Sequence, residues 1–279
     1  MAAVQTLASL DAQALAMLDA LVVASNWNQT AEDWALFHEA GTIHVVRDEA
    51  GRIVASGAVL PMGAPGEVAW ISMILVLPGV RGQGLGRAVF NQCLRQVQAE
   101  GRVAMLDATP AGEALYRQFG FEPLWRLTRW RREARSATGP VLREQAMAMD
   151  TMVALDRQAL GFERPGVIGQ IARRASTRCV RTGQALALVR AGRTADQIGP
   201  LLAARESAAA EALAHAADGL AGAIYIDVPD ERPLLRAALE AAGFQPQRGF
   251  ARMALAPAGR TPPEGQAAFL HAIAGPEFA

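Results

Sequence analysis

The chain has 279 residues, 51% of them hydrophobic, and its 27 lysine and arginine residues balance 27 aspartate and glutamate residues. This length and apolar content suit one large or two smaller domains with buried cores. A neutral chain lacks the broad basic face that a phosphate backbone requires, so nucleic acid is excluded as a main partner.

The two cysteines, Cys93 and Cys179, and the four histidines are scattered along the chain. Neither set has the spacing of a CxxC or Cys/His site, so we predict no metal site. The N-terminus has no basic leader, and no apolar run reaches the length of a membrane span. We therefore expect a cytoplasmic protein that does not bind membranes.

Helical periodicity predicts two N-terminal helices over 12–23 and 30–37, the first capped by Asp11 and the second ended by Gly41. The pattern then changes to that of strands, and the turn at 48–51 is typical of a hairpin. The elements predicted from there to the end of the first half are strands at 42–47, 53–60 and 68–77, a helix at 84–99, a strand at 102–106, a helix at 112–119 and a strand at 121–130.

The second half is predicted to repeat this order of elements after a linker at 134–140, which is rich in Arg, Ser, Thr and Gly. Its predicted elements are helices at 152–160 and 166–174, strands at 177–180, 185–189 and 197–203, a helix at 205–217, a strand at 223–228, a helix at 233–242 and a strand at 244–255.

Two pairs of short sequences support the repeat. Leu106-Asp107 corresponds to Ile226-Asp227 at the end of one strand, and Gly120-Phe121 corresponds to Gly243-Phe244 where a helix passes into a strand. An arginine also follows eight residues after each phenylalanine. These arginines are Arg129 and Arg252.

A glycine-rich loop follows the third strand of the first half, and residues 81–86 read Arg-Gly-Gln-Gly-Leu-Gly. A strand that passes through such a loop into a helix directs backbone N–H groups and a helix N-terminus at one point, which suits phosphate oxygens. Glycines let the backbone approach the phosphates closely. Arg81 and Arg87 add positive charge.

Three phosphate-binding motifs were compared with this loop. The dinucleotide fingerprint requires a glycine where the chain has Arg87, and a Walker A loop requires a lysine where it has Leu85. The signature Arg/Gln-x-x-Gly-x-Gly/Ala is matched in full by Arg81-Gly82-Gln83-Gly84-Leu85-Gly86.

With this loop, residues 1–133 resemble the GNAT acyltransferase superfamily. Val76-Leu77-Pro78 precedes the loop as in that family, and Tyr116 followed by Gly120-Phe121 lies downstream at suitable spacing. The resemblance implies a fold of class α+β or α/β, with a mixed, mostly antiparallel sheet flanked by helices. A catalytic domain over 1–133 and a GNAT-like domain over 141–279 are expected.

The resemblance also implies acetyl-CoA as the cosubstrate. Its pantetheine arm would pair with the exposed edge of a splayed central strand, at Ile74, Leu75 and Val76. A backbone N–H on that edge would hold the oxyanion of the thioester. The pyrophosphate would face the loop, where the expected contacts are Arg81, Gly82, Gln83, Gly84, Leu85, Gly86 and Arg87.

For catalysis, Tyr116 stands where the family commonly places its general acid, which would protonate the leaving thiolate. Its alternative role is an aromatic packed in the core. Many relatives carry a basic Glu on the central strand, but this strand has Trp70 and Ser72, with Glu67 only at its start. The base is therefore open between Glu67 and a water chain through Ser72.

The second half departs from the family where chemistry would matter. The counterpart of the loop, residues 203–208, contains no glycine, and its Glu206 would repel a pyrophosphate. Leu239 stands at the counterpart of Tyr116. This half resembles the decayed domain of tandem acetyltransferases, so one CoA per chain is expected.

We expect an N-acetyltransferase whose acceptor is a small or amino-acid-like amine. In the family, the acceptor site lies near the first two helices. Trp27, Asn28 and Gln29 would line that acceptor site, or serve as a helix cap and a buried ring. A rival hypothesis is a non-catalytic acyl-CoA binder or sensor. A homodimer is compatible with either hypothesis.

Overall fold

The computed structural model describes residues 3–64, 66–137, 139 and 149–279. Parts of the predicted linker and the predicted start of the second domain at 141 lie outside these residues. The chain divides into two compact units. The first is Met1–Leu106 with Ala256–Thr261, and the second is Asp107–Leu255 with Pro262–Ala279.

The described residues of the first unit contain three helices, four complete strands and most of a fifth. The helices are α1 (Ala12–Ala24), α2 (Ala31–Ala40) and α3 (Leu85–Ala99), and the strands are β1 (Val4–Thr6), β2 (Thr42–Arg47), β3 (Ile53–Met62), β4 (Val68–Val76) and β5 (Val103–Ala108), whose last residues belong to the second unit.

The first two helices both have N-caps, and the first of them is the predicted Asp11. Asp11 accepts a hydrogen bond from the Ala14 N–H at 2.8 Å. Thr30 forms a capping box with Asp33, whose carboxylate accepts from the Thr30 N–H at 2.7 Å. Each side chain satisfies an N–H group that a helix leaves without a partner, which is why these helices begin where the sequence predicts.

The sheet of the first unit runs β1–β2–β3–β4 antiparallel, with β5 parallel to β4. α3 packs on this sheet through a buried face that includes Val89, Phe90 and Cys93. β1 was not predicted, because three residues are too few to show a period.

The described residues of the second unit contain five helices and seven complete strands in addition to the end of β5. The helices are α4 (Pro110–Arg117), α5 (Met149–Leu160), α6 (Pro165–Ala172), α7 (Glu206–Asp218) and α8 (Pro233–Ala241), and the strands β6 (Glu122–Arg132), β7 (Arg178–Thr182), β8 (Ala185–Arg190), β9 (Asp196–Leu202), β10 (Ile224–Pro229) and β11 (Gln245–Leu255), followed by the short β12 (Leu270–Ala272).

The sheet of the second unit has the order β11–β6–β10–β9–β8–β7, and β12 pairs with β9. β6 belongs to the first half of the sequence, yet it lies between β11 and β10 of the second half and is antiparallel to both. The last strand of the first repeat thus completes the sheet of the second.

Two buried ion pairs cross between the repeats. Arg129, on β6, forms a bidentate pair with Asp227, at distances of 2.8 Å. Arg252, on β11, forms the same pair with Asp107, at 2.9 and 2.8 Å. Each arginine of one repeat therefore binds the aspartate of the other. The compact units do not follow the two halves of the sequence.

The predicted fold class is confirmed, since the chain is a mixed α/β protein whose strands are accompanied by helices in both units. The domain boundaries at 133 and 141 describe the sequence repeat and stay a prediction. Among the described residues, no helix is both long and apolar enough to cross a membrane.

Candidate functional site

β4 separates from β5 after the first third of its length. The parallel pairing runs only from Val68↔Val103 to Trp70↔Met105, whereas β4 continues to Val76. The edge of β4 beyond Trp70 therefore borders a wedge between the two strands, which we call the β4 wedge.

The end of β4 directs polar backbone groups to this edge. The Leu77 N–H donates to the Val54 carbonyl on β3 at 3.0 Å. Because backbone groups alternate between the two edges of a strand, the N–H and C=O of Val76 point the other way, into the β4 wedge.

A β-bulge lies where the strands separate. Ser56 pairs with Leu75 but Ala58 pairs with Ser72, so the single residue between them on β3 faces two residues on β4. One of these, Met73, has φ of 55°, and its carbonyl accepts a hydrogen bond from Ser56 Oγ at 3.0 Å. A bulge bends and twists its strand, which accounts for the departure of β4 from β5.

The glycine-rich loop has the backbone that its glycines permit. A short 3-10 turn at Pro78–Val80 leads into it. Gly82 and Gly84 have φ of 77° and 78°, and a Cβ built on either meets no atom within 4 Å. The outer side of the loop is therefore open, and only glycine adopts these dihedrals without strain.

The N-terminus of α3 presents donors to this open side. Its first hydrogen bond runs from the Ala88 N–H to the Gly84 carbonyl at 2.9 Å. The N–H groups of Leu85 and Gly86 consequently have no carbonyl one turn earlier to bind. They lie at the positive end of the helix dipole, where an anion is favoured.

Arg81 is held at the junction of loop and strand. Its Nε donates to the Val76 carbonyl at 3.0 Å, and the side chain is otherwise exposed. The guanidinium thus ties the loop to the edge of β4 as well as adding charge beside it. Arg87 is exposed on the first turn of α3.

The two residues considered for the base lie at different points of β4. Glu67 precedes the strand, and its carboxylate accepts from the Ala64 N–H at 2.7 Å, closing the β3–β4 turn. Nine residues at ~3.3 Å each place it about 30 Å from Val76. Ser72 lies just past the last β4–β5 pair, and its Oγ is buried with no hydrogen-bond partner among the described residues.

The residues considered for the acceptor site form the turn between α1 and α2. Asn28 and Gln29 are buried and Trp27 is half-buried. α1 packs on β3 and β4, so this turn belongs to the same unit as the β4 wedge.

Tyr116 lies in the second unit, on the last turn of α4. Its ring is half-buried and packs against Phe121, with centroids 6.2 Å apart and planes tilted by 52°.

The counterpart of the loop in the second half has a different local role. Glu206 begins α7, and its carboxylate accepts from the Leu235 N–H at 2.8 Å, on the first turn of α8. An acidic side chain at this place satisfies a free N–H of α8.

Neither cysteine has the surroundings of a reactive thiol. Cys93 and Cys179 are free and buried, and burial raises the pKa of each thiol above its usual value. Within the described ranges, no three His, Cys, Asp or Glu side chains are grouped closely enough to hold a metal ion.

Comparisons with known proteins agree with this geometry. A model of the GNAT acetyltransferase domain matches residues 39–123, and another of the same description matches residues 152–266. No curated protein sequence matches the chain significantly.

Solved structures share the fold across nearly the whole chain. A candidate acetyltransferase from Pyrococcus horikoshii is 19% identical with a TM-score of 0.80, covering 99% of this chain and 95% of that one. A tandem GNAT protein from the clavulanic acid biosynthesis pathway is 17% identical with a TM-score of 0.61, covering 91% and 98%. A GCN5-related N-acetyltransferase from Sphaerobacter thermophilus is 15% identical with a TM-score of 0.56, covering 90% and 95%.

Proposed function

The chain belongs to the GNAT acetyltransferase superfamily, with one GNAT domain in each half, and on that premise we propose that it is an acetyl-CoA-dependent N-acetyltransferase. The acceptor is the primary amine of a small or amino-acid-like molecule. The observation that carries the proposal is the combination, in one unit, of an open glycine-rich loop and the unpaired edge of β4 directly before it.

The residues present fit an acyl-CoA. Its pyrophosphate needs several donors at close range, and the N–H groups of Leu85 and Gly86 supply them beside the open face of Gly82 and Gly84. Its pantetheine arm carries amides that pair with a strand edge, and Val76 offers its N–H there, while its carbonyl already accepts one hydrogen bond from Arg81. Any side chain at Gly84 would enter this space.

The protein needs few catalytic groups, because the acyl group of a thioester is already activated. A backbone N–H of the β4 edge, that of Val76, would stabilise the charge that develops on the carbonyl oxygen. Tyr116 would give its proton to the departing thiolate. The proton of the attacking amine leaves through water beside Ser72, whose buried Oγ has no protein partner in the described residues.

The test is the release of free CoA thiol from acetyl-CoA in the presence of a panel of amines. Every one of the 27 basic Lys and Arg residues is an arginine, so no lysine side chain of the protein competes as an acceptor. Amine-dependent thiol release with a matching acetylated product supports the proposal. Binding of acetyl-CoA without release for any amine contradicts it.

One observation favours a second function, a non-catalytic acyl-CoA binder or sensor. Glu67 is the carboxylate nearest to β4 in sequence, and it is used to close the β3–β4 turn. A wedge without a basic side chain binds a cofactor as well as one that has it. The same thiol assay separates the two functions.

A further inference from the structure

The second GNAT domain contains a wedge of the same construction as the first. The parallel pairing of β9 with β10 runs only from Asp196↔Ile224 to Ile198↔Ile226, whereas β9 continues to Leu202. Three residue pairs are formed here, as between β4 and β5. The edge of β9 beyond Ile198 is thus the counterpart of the β4 edge that would receive a pantetheine arm.

This second edge is covered by a later part of the same chain. The segment 267–274, which contains β12, runs antiparallel to β9, with Leu270 opposite Leu202. The Ala203 N–H donates to the Phe269 carbonyl at 3.2 Å, and the Ala203 carbonyl lies 3.1 Å from His271 Nε2. Both backbone groups of Ala203 are therefore occupied by the segment.

The segment also reaches the other side of the wedge. The Ile273 N–H donates to the Asp227 carbonyl, on β10, at 3.0 Å. One short stretch of chain thus binds both strands at the place where they separate. Its burial is nearly complete, because Leu270, Ala272 and Ile273 are at most 3% exposed.

The floor of the wedge is shaped to the segment. A Cβ at Gly199, on β9, would lie 2.0 Å from the Ile273 carbonyl oxygen. Arg190, on β8, donates to the Ala274 carbonyl at 2.6 Å. A glycine that permits close backbone approach and a buried arginine that binds the segment's carbonyl are features of a binding site.

We propose that segment 267–274 is the built-in ligand of the second GNAT domain, where it takes the position of a pantetheine arm. The domain binds its own chain by adding a strand to the β9 edge, and acyl-CoA is excluded from that edge. The comparison with pantetheine rests on the proposed function of the first domain, whereas the occupancy of the β9 edge does not.

The proposal gives a reason for the changed loop of the second domain. Because protein fills this wedge and excludes acyl-CoA, a phosphate-binding loop beside it would have no ligand. Residues 203–208 contain no glycine, and Glu206 caps α8 instead.

Amide hydrogen exchange on the full chain, with and without acetyl-CoA, tests the proposal. Without ligand, the amide of Ala203 and that of Ile273 should exchange at least tenfold more slowly than that of Val76. Acetyl-CoA should slow exchange at Val76 and leave Ala203 unchanged. Fast exchange at Ala203 that acetyl-CoA then slows would overturn the proposal.

The two proposals fail in different ways in this experiment. If acetyl-CoA protects no amide on β4 while Ala203 is slow without ligand, the proposed function is contradicted and the built-in ligand stands. If β4 responds and Ala203 is as fast as an exposed loop, the reverse holds.

A pair of variants at Ile273 tests the same contact. Ile273→Pro removes the N–H that binds Asp227, whereas Ile273→Val keeps it and changes one methyl group. We expect at least tenfold faster exchange at Ala203 in Ile273→Pro and little change in Ile273→Val. Equal exchange in both folded variants would show that the segment does not hold the edge; if Ile273→Pro does not fold, the wild-type comparison decides.

Discussion

Gly84 is the N-cap of α3 and has φ of 78°. A Cβ built on it meets no atom within 4 Å. We predict that Gly84→Glu lowers the affinity for acetyl-CoA at least about tenfold, roughly 1.4 kcal/mol. The new side chain would fill the cradle and set a negative charge against the pyrophosphate. Isothermal titration calorimetry measures the change.

Gly51 supplies a matched control for this substitution. It has φ of 77° in the β2–β3 turn, and a Cβ there also meets no atom within 4 Å. Gly51→Glu therefore carries the same backbone strain and the same charge, away from the loop. It should bind acetyl-CoA like the wild type. Unchanged affinity in folded Gly84→Glu would contradict the pyrophosphate site.

Tyr116 is the second residue whose role is open to a direct test. We predict that Tyr116→Phe keeps the affinity for acetyl-CoA and lowers turnover by roughly 10²-fold, since only the proton donor is lost. The ring that packs on Phe121 is retained. Steady-state kinetics with the best acceptor amine measures turnover.

The other tyrosine of the chain, Tyr225, serves as the control. It lies on β10 with its ring beneath the Arg129 guanidinium, at 4.9 Å from the centroid. Tyr225→Phe should leave turnover unchanged. Equal turnover in Tyr116→Phe and the wild type would assign Tyr116 to packing alone.

At this scale the sequence predicted the loop but not the shape of the strand before it. Glycines at 82 and 84 are visible in the sequence because few other functions require them so close together. The left-handed conformation of Met73 is not, since methionine has no preference for it and the bulge depends on pairing with β3. The engagement of Glu67 with Ala64 is likewise a contact made by the folded turn.

At the scale of elements, the two ion pairs that cross between the repeats show how the strands of one repeat are joined to those of the other. The side chains of Arg252 and Asp107 are 2% and 0% exposed, and burial raises the pKa of Asp107 even with Arg252 beside it. Removing one partner of such a pair leaves an unpaired buried charge and costs about 3–5 kcal/mol.

We therefore predict that Arg252→Met lowers the free energy of unfolding by about 3–5 kcal/mol at neutral pH. Without the arginine, the pKa of Asp107 rises further, and the folded state binds a proton more tightly than the unfolded state. The loss should shrink as the pH falls through this raised folded pKa towards the unfolded pKa, because the protonated carboxyl is neutral. Urea unfolding at several pH values measures it.

Arg157→Met is the matched control, because Arg157 pairs with Glu163 at the surface with side chains 67% and 50% exposed. Exposed pairs contribute about 0–1 kcal/mol, so its effect should be small at every pH. A similar loss in both variants would contradict a special role for the buried pair.

The repeat of elements was visible in the sequence, but its crossing was not. The two aspartates and the two arginines occur at matching places in each half, which fits ion pairs within each repeat as well as ion pairs between the repeats. The choice is made by the order of strands, where β6 lies between β11 and β10. That order depends on pairing between residues more than ninety positions apart, such as Trp130 and Ile226.

At the scale of the whole molecule, the sequence predicted the fold class and nearly all helices and strands. Long periodic elements such as α3 were found to within a residue, because amphipathic faces and caps are local signals. β12 was not, since three residues of a strand acquire their conformation only from the wedge that they fill.

β6 of the first repeat lies in the sheet of the second repeat. This leads to the last prediction, that neither half of the sequence folds alone. Residues 1–139 contain β6 without β10 and β11, so both edges of β6 would be unpaired and Asp107 would lose Arg252. Unpaired edges invite aggregation. We expect residues 1–139 and 149–279 to be insoluble when expressed separately. When they are co-expressed with a tag on the first fragment only, the two should purify together as a 1:1 complex, because β6 can then pair with β10 and β11. A soluble 1–139 fragment with a cooperative thermal transition would contradict this, since it would show that the first repeat completes its own sheet.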